Sequence, residues 1–158
     1  MIKARLDLKV LLIQIRLDQA VKEEELSSFA RFAKIEKSQI SILDVFNEEM
    51  PTAKELKSYD AVFIGGASEA SVIEPETYLF VPKLIKCIQD LIEVKVPTFA
   101  SCFGFQAAVL ALGGEIIEDP ADFEMGTYAM ELSEATKTDS VYKDIPNLFY
   151  AVSVHKQS

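Results

Sequence analysis

A chain of 158 residues, nearly half of them apolar, is long enough to form one domain with a real core. Its formal net charge of −9 and isoelectric point near 4.7 exclude nucleic acid and anionic membrane as partners, since both are bound through basic surface. Two cysteines without a CxxC spacing give no disulfide framework, and one histidine excludes a multi-histidine metal site, so a cytoplasmic protein with no metal and no cofactor is expected.

The N-terminus has no signal peptide, and the apolar run Val10 to Ile15 is too short to span a membrane. Lys9 to Ile15 is instead a β-type run suited to a strand covered on both faces. Glu23 to Ile35 turns helical, with Leu26, Phe29, Ala30, Phe32 and Ala33 on one broad face and Glu23, Glu24 and Glu25 as a solvated first turn. Gln39 to Phe46 is a second strand, Ala53 to Lys57 one helical turn, and Tyr59 to Ile64 a third strand ending in Gly65-Gly66-Ala67-Ser68. Glu69 to Phe80 reads as a loop. Pro82 to Val94 reads as a helix burying Leu84, Ile85, Ile88, Leu91 and Ile92, with Cys87 as packing beside that stripe.

Val96 to Ala100 is predicted as a short buried strand. After an abrupt turn, Phe105 to Leu112 is a helix stopped by Gly113-Gly114. Glu115 to Ile117 and Thr127 to Leu132 are further short strands, and Asp139 to Tyr142 is one helical turn. Phe149 to Val154 is a last strand delivering His155 at its carboxyl end. Strand alternating with helix gives an α/β fold: an open, mostly parallel, flavodoxin-like sheet with helices on both faces.

In such sheets ligands bind beyond the carboxyl ends of the strands, where Gly65-Gly66, Cys102 and His155 all fall. Cys102 sits on the strand-to-helix turn, a nucleophile elbow, with Gly104 two residues on to ease the turn. The free N–H groups of a helix N-terminus favour the thiolate there and can receive an oxyanion. The alternative is a cysteine buried in a strand-helix corner. His155 is the base that takes the thiol proton; its alternative is an exposed histidine near a chain end. Gly65-Gly66 lets backbone approach a ligand, or is a simple turn. No Lys-Ser/Thr follows, so it is not a phosphate loop.

Ala100-Ser101-Cys102-Phe103-Gly104-Phe105-Gln106 resembles the G-x-C-x-G-x-Q elbow of class I (triad) glutamine amidotransferases. Tyr59 to Gly66 is similar to their oxyanion strand, Glu124-Met125-Gly126 to an E-x-G segment, and Val152 to His155 to the strand carrying the catalytic histidine. The resemblance spans essentially the whole chain and is that of a single stand-alone, GMP-synthase-like glutaminase domain, 1–158. It implies hydrolysis of the glutamine side-chain amide to glutamate and ammonia through a thioester. Cys102 would be the nucleophile and His155 the base, with the oxyanion on the N–H groups of Gly66 and Phe103. Gly65 and Gln106 would shape the substrate pocket, unless Gln106 is only a helix-surface glutamine. Glutamine or a γ-glutamyl compound is the implied substrate. A synthetase or acceptor protein in trans, or a second copy of the chain, is the implied partner.

Three positions depart from the family pattern. Ala100 replaces the first elbow glycine. Gln157 stands where the family places the triad acid, and can orient an imidazole without stabilising its charge. The chain ends three residues after His155, short of the family's C-terminal end. Two further readings follow: a γ-glutamyl peptide hydrolase of the same fold, and a catalytically degenerate regulatory or assembly subunit. An intracellular protease/chaperone-like elbow protein fits less well, because G-x-Q and the late histidine follow the amidotransferase pattern.

Overall fold

Every residue of the first strand, β1 (Val10–Gln14), is buried, as its unbroken apolar run requires of a strand covered on both faces. The computed structural model describes residues 4–118 and 124–155. β1 is flanked by β2 (Ile40–Asp44) and β3 (Ala61–Ile64), and β4 (Thr98–Ala100) pairs with β3. All four strands are parallel, in the order β2-β1-β3-β4. That is a flavodoxin-like order, whose direction of winding reverses between β1 and β3.

Alternation along β1 sorts the helices. Val10 and Leu12 pack against Leu26 and Ala30 of α1 (Gln19–Ala33). Leu11 and Ile13 face the opposite core. That core takes Leu56 of α2 (Ala53–Leu56), Val81, Leu84, Ile88 and Leu91 of α3 (Phe80–Val94), and Phe103 and Ala107 of α4 (Phe103–Ala111). Helices therefore cover both faces of the sheet, as the α/β pattern predicts. Each fully buried aliphatic side chain of this kind contributes on the order of 2 kcal/mol. α1 and α3 both end on a lysine in the left-handed region, Lys34 and Lys95, with the following N–H bonded back to Ala30 O and Leu91 O.

Three elements differ from the sequence reading. α1 starts at Gln19, capped by the Asp18 carboxylate accepting from Val21 N–H at 3.0 Å. This earlier start moves Glu25 out of the first turn. Phe32, placed on the buried face by its spacing, is exposed. β4 is shorter and more open than a buried strand: Val96 N–H is spent closing α3, Pro97 donates nothing, and Thr98 and Phe99 are exposed on the sheet edge. No strand forms over 115–117, because among the described residues the parallel sheet ends at β4.

The chain divides into two compact units, Met1–Ile116 and Ile117–Ser158. The second is an antiparallel ribbon of β5 (Glu124–Glu131) and β6 (Leu148–His155), with Glu124 opposite His155. The segment between them carries a 3-10 helix over Glu134–Thr138. A turn follows, whose Val141 and Tyr142 N–H groups donate to the Asp139 carboxylate. Those two bonds hold the Asp139 carboxyl below the usual range. Asp139 to Tyr142 is thus a single capped turn, closed by Lys143 N–H onto Asp139 O at 3.2 Å. Among the described residues no helix is long and apolar enough to cross a membrane.

Candidate active site

The elbow is a tight turn built around Cys102. Gly104 N–H bonds Ser101 O at 2.9 Å, closing a four-residue turn whose first central residue is Cys102 at φ 51, ψ −111. This is a conformation that glycine adopts freely and a side chain does not. Holding cysteine there costs on the order of 1–3 kcal/mol. The surroundings enforce it. Ser101 N–H donates to Ile64 O at 3.0 Å, and Gly104 N–H also reaches Gly65 O at 3.2 Å, so the elbow is stitched to the end of β3. Gly104 permits the approach, since a Cβ there would lie 2.7 Å from Ile64 Cγ2 and 2.8 Å from Ile64 O. Cys102 is exposed as a result, while the neighbouring Phe103 ring is buried against Phe80.

Two N–H groups near the thiol are left over. Gly65 N–H is used by Ile13 O at 3.0 Å, but those of Gly66 and Phe103 have no acceptor among the described residues. A Cβ on Gly66 would lie 3.4 Å from Cys102 Cβ, which measures how close this backbone comes to the Cys102 side chain. Gln106 follows one turn into α4, half-buried, its N–H donating to Cys102 O at 3.0 Å. It is not among the residues lining the cavity beside Cys102. That cavity, about 540 Å³, is bounded by Gly66, Ser101 and Cys102 on the sheet ends, by Arg16, Glu25, Phe29 and Phe32, and by Phe99.

Sequence reasoning missed the charged floor of this site. Arg16 follows β1 and donates from Nε to Glu25 Oε1 at 3.2 Å and from Nη1 to Ser68 Oγ at 2.8 Å. Gln14, fully buried, donates to Lys22 O at 2.8 Å and Glu25 Oε2 at 3.2 Å. Glu25 is therefore a half-buried partner of Arg16 and Gln14, with its side chain 9% exposed, and not part of a solvated turn. One signal was available: Gln14 and Arg16 are polar residues interrupting an otherwise apolar strand end. Nearby, Asp44 holds Lys22 at 2.6 Å. Partial burial lifts its carboxyl, but Lys22, Asn47 and the Phe46 N–H outweigh that and bring it below its ordinary value.

The remaining predicted residues fall elsewhere. His155 ends β6 in the second unit, and its imidazole is outside the described structure. Gln157 lies outside the described residues. Cys87 is 2% exposed inside α3, and burial pushes its thiol up to about 11.

Comparison with known proteins agrees in one direction. The family model described as glutamine amidotransferase class-I matches residues 29–158. A glutamine amidotransferase-like protein of Acanthamoeba polyphaga mimivirus is 37% identical over 75 residues, covering 48% of this chain and 36% of that protein. One subunit of the glutamine-hydrolysing GMP synthase of Methanocaldococcus jannaschii is 27% identical over 109 residues, covering 69% of this chain and 48% of its own length. The chain thus spans half or less of these relatives. Among solved structures, a glutamine amidotransferase of Thermotoga maritima superposes with a TM-score of 0.74 at 19% identity, over 96% of this chain and 61% of that one. A GMP synthase subunit protein of Thermoplasma acidophilum superposes at 0.68 and 15% identity, over 96% and 66%. At these identities the structures establish a shared fold.

Proposed function

The chain belongs to the class-I glutamine amidotransferase family, and on that premise we propose that it hydrolyses the glutamine side-chain amide through a thioester on Cys102. The single observation that carries this reading is the elbow. An exposed cysteine is held at positive φ beside two N–H groups that no described residue uses. Backbone strain concentrated on one nucleophilic side chain, at the carboxyl ends of parallel strands, marks a site maintained for chemistry.

His155 takes the proton of the Cys102 thiol as the sulfur attacks the amide carbon, and a C–S bond forms as the carbonyl electrons move onto oxygen. The N–H groups of Gly66 and Phe103 receive that oxyanion; removing one such donor costs roughly 10²- to 10³-fold in rate. The tetrahedral species collapses, the C–N bond breaks, and ammonia leaves with a proton from His155. His155 then takes a proton from water, which attacks the thioester; the C–S bond breaks, glutamate leaves, and His155 returns the proton to the Cys102 sulfur. Gln157 orients the imidazole without neutralising its charge, so turnover is slower than with a carboxylate at that position. Gln106 helps shape the pocket for the substrate. Ammonia is passed to a synthetase on a separate chain, an arrangement supported by the Methanocaldococcus jannaschii relative being named as one subunit of a GMP synthase.

The test is covalent capture by the glutamine analogue 6-diazo-5-oxo-norleucine, located by peptide mass spectrometry with and without excess glutamine. Modification at Cys102, absence at Cys87 and protection by glutamine are expected. An unmodified Cys102 in folded protein would sink the proposal and favour a degenerate subunit. Faster consumption of γ-glutamyl peptides than of glutamine would shift the substrate to the peptide.

A further inference from the structure

The diglycine after β3 has a cause that its sequence does not display. A Cβ on Gly65 would lie 2.5 Å from Glu25 Oε1, and a Cβ on Gly66 would lie 2.9 Å from Arg16 Nη2. The two members of one ion pair thus occupy the space that side chains at 65 and 66 would need. Arg16 reaches past them to Ser68 Oγ at 2.8 Å, while Glu25 is fixed from behind by the buried Gln14 amide at 3.2 Å. The loop from Gly65 to Ser68 thus runs against the side chains of Glu25 and Arg16 and is bonded to Arg16 at Ser68.

We propose that Arg16, seated on Glu25, is a positioning residue that clamps the Gly65–Ser68 loop so that the Gly66 N–H stays beside Cys102. The loop's own backbone bonds are few: Gly65 N–H to Ile13 O, and Gly65 O from Gly104 N–H. The second reaches the peptide between Gly65 and Gly66 at its carbonyl oxygen, but only as the 3.2 Å arm of a donor shared with Ser101 O at 2.9 Å, and beyond it the second glycine leaves the loop in need of another constraint. The guanidinium supplies the constraint. Its planar fork makes Nε–Glu25 and Nη1–Ser68 bonds at once, which a lysine ammonium cannot reproduce in the same geometry. The clamp acts on acyl transfer, the step that develops an oxyanion, and leaves simple alkylation of the thiol untouched.

This inference rests on the glutaminase reading for one of its arms and is independent of it in the other. In the first arm, glutamine hydrolysis is compared with iodoacetamide alkylation of Cys102, a displacement of iodide at carbon that forms no oxyanion. Arg16→Met is expected to lower kcat roughly 10²-fold, the loss typical of one oxyanion donor, with KM and the alkylation rate changed less than about threefold. Arg16→Lys recovers little, and Ser68→Ala loses roughly tenfold. In the second arm, amide exchange at Gly65 and Gly104, read by NMR, is expected to quicken roughly tenfold in Arg16→Met as the loop comes free. Equal losses for hydrolysis and alkylation would overturn the clamp, as would unchanged exchange in a folded variant. If wild-type protein alkylates at Cys102 but releases no ammonia, the glutaminase reading fails and the exchange arm alone decides the clamp. Should Arg16→Met not fold, Ser68→Ala is judged by the same pair of readouts.

Discussion

The two cysteines occupy opposite kinds of place. Cys87 lies on the core face of α3, 2% exposed, among Leu84, Ile88 and Leu91, and its thiol is pushed up to about 11 by burial. Cys102 stands exposed past the end of β4 with its backbone at φ 51, beside two N–H groups that no described residue uses. The same thiol is packing in one place and, in the proposed reaction, the nucleophile in the other. Backbone placement separates them: a helix interior turns the side chain into the core, and a strand-to-helix elbow turns it out.

The largest effect separating them is on chemistry. Cys102→Ala is expected to abolish thioester formation, a loss of at least about 10³-fold in glutamine hydrolysis, while Cys87→Ala leaves the rate within about twofold. Equal losses in the two variants, measured as ammonia release, would erase the distinction. Next comes stability at the elbow. Gly104→Ala forces a Cβ to within 2.8 Å of Ile64 O, and backbone cannot yield as a flexible side chain does. A loss of about 2–3 kcal/mol is expected in urea denaturation, against about 1 kcal/mol for Cys87→Ala. The smallest and most specific effect is alkaline. Because folding holds Cys87 protonated, its thiol is raised above the ordinary 9.0, and its contribution is fully present below pH 9. Above that the unfolded chain releases the proton first. Stability should therefore fall by about 2 kcal/mol as pH rises from 9 to 11, and Cys87→Ala should remove that fall. A wild-type urea midpoint that does not respond to the substitution across that range would contradict it.

Much of the frame was legible because it rests on local pattern. The unbroken run of β1, the stripe of α3 and the helix-stopping Gly113-Gly114 each encode their element in adjacent residues. The site was legible only where it is local too, in Ser101 to Gln106 and in Gly65-Gly66. What escaped is made by long-range packing. Arg16 and Glu25 are nine positions apart, yet it is their meeting that explains two glycines forty to fifty positions later. The exposure of Phe99 follows from β4 having one described neighbour, which its own apolar letters cannot express. Phe32 has the right helical spacing but lies beyond the strip of α1 that the sheet covers. Asp18 was a readable cap, overshadowed by the acidic run that follows it.

The left-handed conformation of Cys102 also has an evolutionary consequence. Glycine would occupy that backbone without strain, by about 1 kcal/mol, so the folded chain gains stability from the very substitution that removes its sulfur. Selection for stability and selection for the thiol therefore pull in opposite directions at this one codon. A descendant released from the need for the thiol would slide toward glycine there and become a sturdier, silent scaffold.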